Sequence, residues 1–479
     1  MHIQSVIHIL GLLLTFIAAA MLLPLPVSWY YQDDSHWALL GSSVVTFAAG
    51  YTAYRLSNLR QDLRAKEGFA IVTLGWIAAS LFGSLPFMLS GAIPSLSAAY
   101  FETMSGFTTT GATILTDIEI VPHGILFWRS LTHWLGGMGI IVLSLAILPY
   151  LGVGGMQLFK AEVPGPVADK LTPRIAQTAK LLWGVYVLLT LAEVVLLMLG
   201  GMSLYNALCH SFATMSTGGY STLNASVGGF NSAYIDYVIT FFMFISGANF
   251  ALHYHFLRGD FRVYLRDKEF LVFAGIVVCA TLIISLDIFR LYEGAAPTLR
   301  YALFQVVSIG TSTGFGTADF EQWSYSSQFL LLGLMFIGGC AGSTAGGLKV
   351  MRIHLLFKFI LSEITRLIHP NAIVPVRVHN AIVSRELVTN VLGFFVLYIS
   401  IYGFGVYILS LLGLDLPTAI SAAIATLSNI GPGLGDVGPT DNYASIPALG
   451  KWFLSLFMLM GRLEIFTVVI LFSPFYWRK

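Results

Sequence analysis

Thr311-Ser312-Thr313-Gly314-Phe315-Gly316 follows a short apolar segment, 302–310, and precedes a polar stretch, 317–327. The preceding segment is too short to cross a hydrocarbon layer about 30 Å thick. Small, hydroxylated and glycine residues at such a place can present a row of backbone carbonyls to a bare cation. One such stretch is weak evidence. Three related stretches occur elsewhere in the chain, so this hexapeptide is the element against which the rest is read.

Composition sets the solvent. Of 479 residues, 56% are hydrophobic and 10% charged, where a soluble domain carries about 25% charged residues. Mean hydropathy is +0.79. This is the composition of an all-α integral membrane protein. The net charge of +1 says nothing about partners, though the placement of charges does; no nucleic-acid partner is expected. Cys209, Cys279 and Cys340 are scattered in apolar context, without metal or disulfide spacing. Residues 3–27 are apolar but lack a preceding basic residue and run longer than a signal core, so they read as a retained first span.

Ten apolar spans are expected, at 3–25, 37–57, 68–92, 124–150, 178–201, 232–257, 269–290, 326–348, 386–413 and 449–473. The basic residues test that layout. Alternate loops hold Arg55, Arg60, Arg64 and Lys66; Lys160, Lys170, Arg174 and Lys180; Arg258, Arg262, Arg266 and Lys268; and Lys349, Arg352, Lys358, Arg366, Arg377 and Arg385. With Arg478 and Lys479 these make 20 of the 25 lysines and arginines, all on one side if both ends are inside. The positive-inside rule makes that side the cytoplasm.

The opposite loops reveal a repeat. After spans 3, 5, 7 and 9, a short apolar segment runs into a glycine-containing polar stretch, at 99–113, 205–220, 301–316 and 417–433. Aligned on one glycine, the filter strands read Thr109-Thr110-Gly111, Ser216-Thr217-Gly218, Ser312-Thr313-Gly314 and Asn429-Ile430-Gly431. The unit is span, re-entrant helix, filter, span. The expected division is 1–66 (two extra helices), 67–160, 161–267, 268–370 and 371–479 (four pore repeats). Non-helical backbone at membrane depth is tolerated only where protein buries it or it lines a watery cavity. Four such loops around one axis supply carbonyl rings, and each re-entrant helix aims its negative end at them.

The chain resembles the TrkH/TrkG/KtrB family of potassium-uptake proteins. The resemblance rests on Ser105-Gly-Phe-Thr-Thr-Thr-Gly-Ala-Thr113, His210-Ser-Phe-Ala-Thr214, Phe336-Ile-Gly-Gly-Cys-Ala-Gly-Ser-Thr344, Gly346-Gly-Leu-Lys349, Asn429-Ile-Gly-Pro-Gly-Leu-Gly435 and Gly461-Arg-Leu-Glu464. Segments 136–141 and 152–157 match as well, and the likeness spans nearly the whole chain. It implies a four-repeat potassium pore in a bacterial inner membrane and a homodimer with one pore per protomer. It also implies a cytosolic, nucleotide-binding TrkA-type ring as regulator, so nucleotide enters only through a partner. Potassium is then the transported ion, rubidium is expected to substitute, and no covalently bound cofactor is expected. With glycine at all four reference positions, the chain is most similar to the potassium-selective members.

Five of the ten residues 338–347 are glycine, at the end of span 8. Glycine costs a helix about 1 kcal/mol per site, so the helix should break here. Two readings stand: close helix packing through small residues, or a loop that obstructs conduction. The resemblance favours the loop, with Gly338, Gly339, Gly342, Ser343, Thr344, Gly346, Gly347 and Lys349 as gate residues. Arg462 lies mid-span, where a charge usually faces the bundle interior. Glu464 is two residues on and does not share its helix face. Arg462 is therefore expected below the filter as an electrostatic barrier. Glu102 is expected to bond backbone behind the filter, Arg129, Glu193 and Asp287 to snorkel, and His133 and His210 to be satisfied between helices. Gly433-Leu-Gly-Asp-Val-Gly438 has no preceding strand and is rejected as a nucleotide site. No clustered acid, nucleophile or metal set marks an enzyme. A potassium pore leads, and a symporter coupled to protons or sodium is the alternative.

Overall fold

The structure, a computed structural model, describes residues 2–59, 65–139, 175–372, 374–378, 381–383 and 385–477. The second half of expected span 4, the 152–157 motif, and Arg60, Arg64, Lys160, Lys170, Arg174, Arg478 and Lys479 lie outside the described residues.

The fold is all-α, with one two-residue-per-strand hairpin pairing Arg377–Val378 with Ala381–Ile382 among the described residues. Among the described residues, five segments are long and apolar enough to span a membrane: Ile3–Tyr31, Lys66–Leu89, Thr178–Leu199, Lys268–Asp287 and Leu387–Leu411. This is a multi-pass membrane protein. Helices α1 (Ile3–Ala20) and α2 (Ser35–Leu56) form an N-terminal pair that packs on α3 (Ala65–Gly83). Small residues set the approach within the pair. A Cβ on Gly11 would lie 2.7 Å from Gly50 O, so the two backbones touch where neither residue has a side chain.

Four units follow. The first is α3, α4 (Leu96–Phe107) and α5 (His123–Trp134); the second is α6 (Ile175–Leu199), α7 (Leu204–Met215) and α8 (Ala233–Ser246) with α9 (Phe250–Leu257). The third is α10 (Lys268–Asp287), α11 (Ala295–Gly310) and α12 (Tyr325–Ile337), followed by α13 (Val350–Ile368). The fourth is α14 (Arg385–Leu411), α15 (Leu416–Leu427) and α16 (Ala448–Arg462) with α17 (Glu464–Val469). The short middle helices α4, α7, α11 and α15 are the re-entrant segments of the sequence reading. They are buried on nearly all sides, which explains why they are apolar without a polar face. Second helices pack on the next unit's middle helix: α5 on α7, α8 on α11, α12 on α15, and α16 on α4. The units therefore close on themselves.

The structure corrects the expectation of continuous spans 6 and 10, and span 8 breaks at its glycine-rich stretch as expected. Helix α5 passes into a π-helical turn at Leu135–Gly139. The α8–α9 pair bends by 103° and the α16–α17 pair by 112°. Helix α12 stops at Ile337, before Gly338 at φ +73°. Apolar composition runs straight through these breaks, so hydropathy alone reads them as single spans.

The N-terminal pair is pinned to the first unit by Asp33. Its Oδ2 accepts from Gly124 N (3.0 Å) at the start of α5, and its Oδ1 from Ser35 N (3.1 Å) and from the Ser28 and Ser35 hydroxyls. Burial opposes ionisation of this carboxyl, but the bonds from Ser28, Ser35 and Gly124 outweigh it and hold the group below the usual carboxylate range. A depressed carboxyl stabilises the fold above its unfolded-state pKa and loses that contribution as pH falls through its folded-state value. Asp33→Asn should therefore lower the melting temperature of the detergent-solubilised protein at neutral pH. The gap to wild type should close in acid below about pH 4. A gap that persists unchanged in acid contradicts this account.

Candidate ion site and the elements beneath it

Each middle helix ends in the same local structure. The amide of Thr109 bonds Gly106 O and that of Thr110 bonds Ser105 O; Thr217 and Gly218 bond Thr214 O and Ala213 O. Ser312 and Thr313 bond Ile309 O and Ser308 O; Asn429 and Ile430 bond Thr426 O and Ala425 O. This is the Schellman pattern, whose left-handed residue is usually glycine. Here it is Thr109 (φ +53°), Thr217 (+56°), Ser312 (+56°) and Asn429 (+56°). A non-glycine residue there costs roughly 1–2 kcal/mol. Such strain persists where the surroundings over-determine it, commonly at functional positions.

Two residues on, a glycine takes positive φ in every strand: Gly111 (+82°), Gly219 (+78°), Gly314 (+83°) and Gly431 (+98°). The second strand is thus shifted by one from the sequence alignment, and Gly219, not Gly218, is the structural counterpart of Gly314. The shift has a consequence for symmetry. Tyr220 now matches Phe315, an aromatic residue after the positive-φ glycine in both strands.

The glycines close a ring. A Cβ on Gly111 would sit 2.2 Å from Gly218 O, on Gly219 2.0 Å from Thr313 O, on Gly314 1.9 Å from Ile430 O, and on Gly431 2.7 Å from Thr110 O. The contact passes from strand 1 to 2 to 3 to 4 and back to 1. Each carbonyl belongs to the residue after the left-handed position. No side chain fits between neighbouring strands, which is the physical need for glycine at these four positions. Gly218 contributes a carbonyl to the ring and presents its other face to His133, 2.3 Å from Nδ1 for an added Cβ.

Polar side chains brace the strands from behind. The corrected register aligns Glu102, His210 and Gln305, nine residues before Gly111, Gly219 and Gly314. Glu102 accepts from Ile114 N (2.8 Å) and Thr113 Oγ1 (2.9 Å). His210 Nε2 pairs with Ser221 Oγ (2.9 Å), and Gln305 Nε2 donates to Ala318 O (3.1 Å). In the fourth strand Ser421 Oγ donates to Leu434 O (2.7 Å). Glu102 therefore has the structural role expected of it. Arg129 does not snorkel: it is buried, donates to Glu102 Oε1 (2.7 Å) and Ser221 O (3.1 Å), and lies 3.4 Å over the Tyr220 ring. One guanidinium so joins strands 1 and 2, a buried pairing whose rupture typically costs 3–5 kcal/mol. Tyr443 closes the seam between strands 4 and 1, its hydroxyl donating to Gly431 O (2.6 Å) and its amide to Thr113 O (2.8 Å).

Two further expectations change. His133 stacks on Tyr220 at 3.9 Å, and among the described residues neither ring nitrogen has a well-formed hydrogen bond, although the Ser105 backbone lies beside it. Glu193 does not snorkel either; it is fully buried, with the Thr214 side chain as its hydrogen-bonding neighbour. Asp287 lies at its helix end, accepting from the Ser324 and Ser327 hydroxyls.

Beneath the ring, residues 338–349 form an irregular loop. Thr344 Oγ1 donates to Met215 O (3.1 Å), Cys340 N to Gly247 O (2.8 Å), and Gly346 N to Ser312 Oγ (2.6 Å). A Cβ on Gly346 would lie 2.0 Å from Ser428 O. The loop thus touches the helix ends under strands 2, 3 and 4. Its outer edge is tied to Glu269 Oε1 by Ala341 N (2.8 Å) and Met351 N (3.0 Å). Lys349, also left-handed (φ +72°), is buried and donates to Ala345 O. Gly338, Gly339, Gly342, Ser343 and Gly347 all lie in this loop; Gly342 faces Asn249, at the bend between α8 and α9. Arg462 crosses from α16: Nη1 donates to Thr344 O (2.7 Å), and Nη2 to Gly136 O (2.6 Å) and Gly137 O (2.7 Å). Glu464 instead pairs with Arg352.

The sequence reading missed Gly219, Arg129, Tyr220 and Tyr443. Two adjacent glycines made the register of strand 2 ambiguous, and the helix end at Met215 resolves it. Arg129 meets Glu102 across 27 residues, a pairing no local pattern carries.

The comparisons agree along the whole chain. A profile of the TrkH family, described as cation transport protein, matches residues 38–479. The Trk system potassium uptake protein TrkH of Salmonella typhimurium is 45% identical over 487 aligned positions, covering all of both chains. The Trk system potassium uptake protein TrkG of Escherichia coli is 35% identical, covering all of this chain and 99% of its own. The crystal structure of the potassium transporter TrkH from Vibrio parahaemolyticus superimposes with a TM-score of 0.90, 40% identity and full coverage of both chains. The chain belongs to the TrkH family of cation transport proteins.

Proposed function

We propose that this chain conducts potassium inward across a bacterial inner membrane through the four-strand ring, with both termini in the cytoplasm. The closed cycle of glycine–carbonyl contacts carries the reading. A potassium ion on the axis sheds water and takes carbonyls of the four strands, Thr110, Gly218, Thr313 and Ile430 among them, in its place. The C-termini of α4, α7, α11 and α15 add partial negative charge there. The 338–349 loop and Arg462 form the gate, the loop as a steric obstruction and the guanidinium as a cation barrier. The protein works as a homodimer and takes nucleotide control from a cytosolic TrkA-type ring. The relatives named as potassium-uptake proteins support the choice of ion.

The ring predicts an unequal response of neighbouring glycines. Gly219→Ala meets both a backbone carbonyl and a positive φ, so the potassium-over-sodium permeability ratio should fall about tenfold or more, for a strain above roughly 1.4 kcal/mol. Adding His133→Ala should not restore it. Gly218→Ala meets the imidazole instead, and His133→Ala should largely restore that variant. Reversal potentials in proteoliposomes read both, and equal rescue of the two sinks the assignment.

Arg462→Ala removes the bonds to Thr344, Gly136 and Gly137, among others, and the positive charge beneath the ring. Rubidium flux into liposomes holding equal amounts of protein should rise several-fold. Unchanged or lower flux contradicts the barrier role.

The fully buried Glu193 favours a second reading, coupling of potassium to protons, since an ionisable group inside a membrane is a functional candidate by default. Under the pore reading, the reversal potential follows the potassium gradient alone, and neither an imposed pH gradient nor Glu193→Gln shifts it. A shift with pH that Glu193→Gln abolishes would replace the pore by a symporter.

A further inference from the structure

The four left-handed residues are equivalent in backbone but unequal in side-chain attachment. Ser312 Oγ accepts from Gly346 N at 2.6 Å, a bond from the ring directly to the loop beneath it. Asn429 Nδ2 donates to Thr110 Oγ1 (2.9 Å) and to Met458 O (2.9 Å). The first bond crosses the seam between strands 4 and 1. The second reaches α16 one helical turn before Arg462. A Cβ on Gly461 would lie 2.7 Å from Asn429 Oδ1, so that side chain rests on the backbone beside the arginine. Ser312 and Asn429 are buried. By contrast, Thr217 Oγ1 bonds the neighbouring Ser216 O. The attachments to the gate thus fall on the two strands whose own units carry the gate parts.

We infer that Ser312 and Asn429 are specificity-setting residues that make the ring's ion preference depend on the position of the 338–349 loop and of α16. With the loop seated, the Gly346 amide and the Asn429 amide fix strands 3 and 4 against the helix ends below. When the loop leaves, the Ser312 hydroxyl loses its donor. When α16 shifts, Asn429 carries the motion to Thr110 and so to strand 1. Opening and ion selection are then one coupled process. The inference rests on the reading of the ring as the ion site.

A double-mutant cycle on the full-length chain in liposomes tests it, with potassium-over-sodium permeability ratio and rubidium flux read for every variant. Arg462→Ala, which frees Thr344 and α16, should raise flux and also lower the ratio by roughly threefold or more in an otherwise wild-type chain. In Ser312→Ala or Asn429→Asp backgrounds, the same substitution should raise flux without a further change in ratio. Ser312→Thr keeps the hydroxyl and should restore the wild-type dependence. Multiplicative effects on the ratio in all backgrounds overturn the inference and leave the two residues as packing alone. So does a wild-type background in which Arg462→Ala changes flux and not ratio. The ring reading fails separately: Gly314→Ala with an unchanged permeability ratio would remove the ion site itself.

Discussion

The contact of one strand's glycine with the next strand's carbonyl is the constraint on which the architecture depends. It recurs at Gly111, Gly219, Gly314 and Gly431 and returns to its starting strand. Backbones that close must be delivered by elements that can be buried entirely, and the four middle helices are short, apolar and enclosed. They must also be held from outside without filling the centre. Glu102, His210, Gln305 and Ser421 do this from the middle helices, while Arg129 and Tyr443 bind across seams. In a low-dielectric wall these polar groups are stable because each is hydrogen-bonded, His210 through the side chain of Ser221 and the others to backbone.

The same geometry explains why the second helices break. A helix running straight past the ring would continue its own hydrogen-bond ladder and leave no room at the axis. Instead small residues sit where the middle helices end: a Cβ on Gly136 would lie 1.9 Å from Phe107 O, and on Gly461 2.0 Å from Leu427 O. The chain then breaks, by sharp bends in the second and fourth units and by the long loop in the third, while α5 of the first passes into a π-turn. The third unit differs most, and its loop occupies the space beneath three strands. Arg462 spans from there to the first unit, so every unit contributes to the floor of the site.

Much of this was legible in the residues. The glycine–hydroxyl stretches, the apolar segments before them and the break at 338–347 all follow from local chemistry, and the structure places them as that chemistry requires. That Arg462 and Glu464 do not pair was legible too, although a break between α16 and α17 parts them rather than the faces of one helix. Three things were not legible. The register of strand 2 hung on which of Gly218 and Gly219 follows the helix end. The bent spans are apolar through their bends, so hydropathy cannot see them. The Glu102–Arg129–Tyr220 brace joins residues 27 and 118 positions apart, and only the fold brings them together.

The central claim is that four strands act as one carbonyl ring for a desolvated ion. Anomalous diffraction from crystals of this protein grown in rubidium tests it most directly. The account predicts a rubidium peak on the ring axis, in contact with the carbonyl oxygens of Thr110, Gly218, Thr313 and Ile430. A well-ordered ring with no peak there, or with rubidium bound only elsewhere, would contradict it.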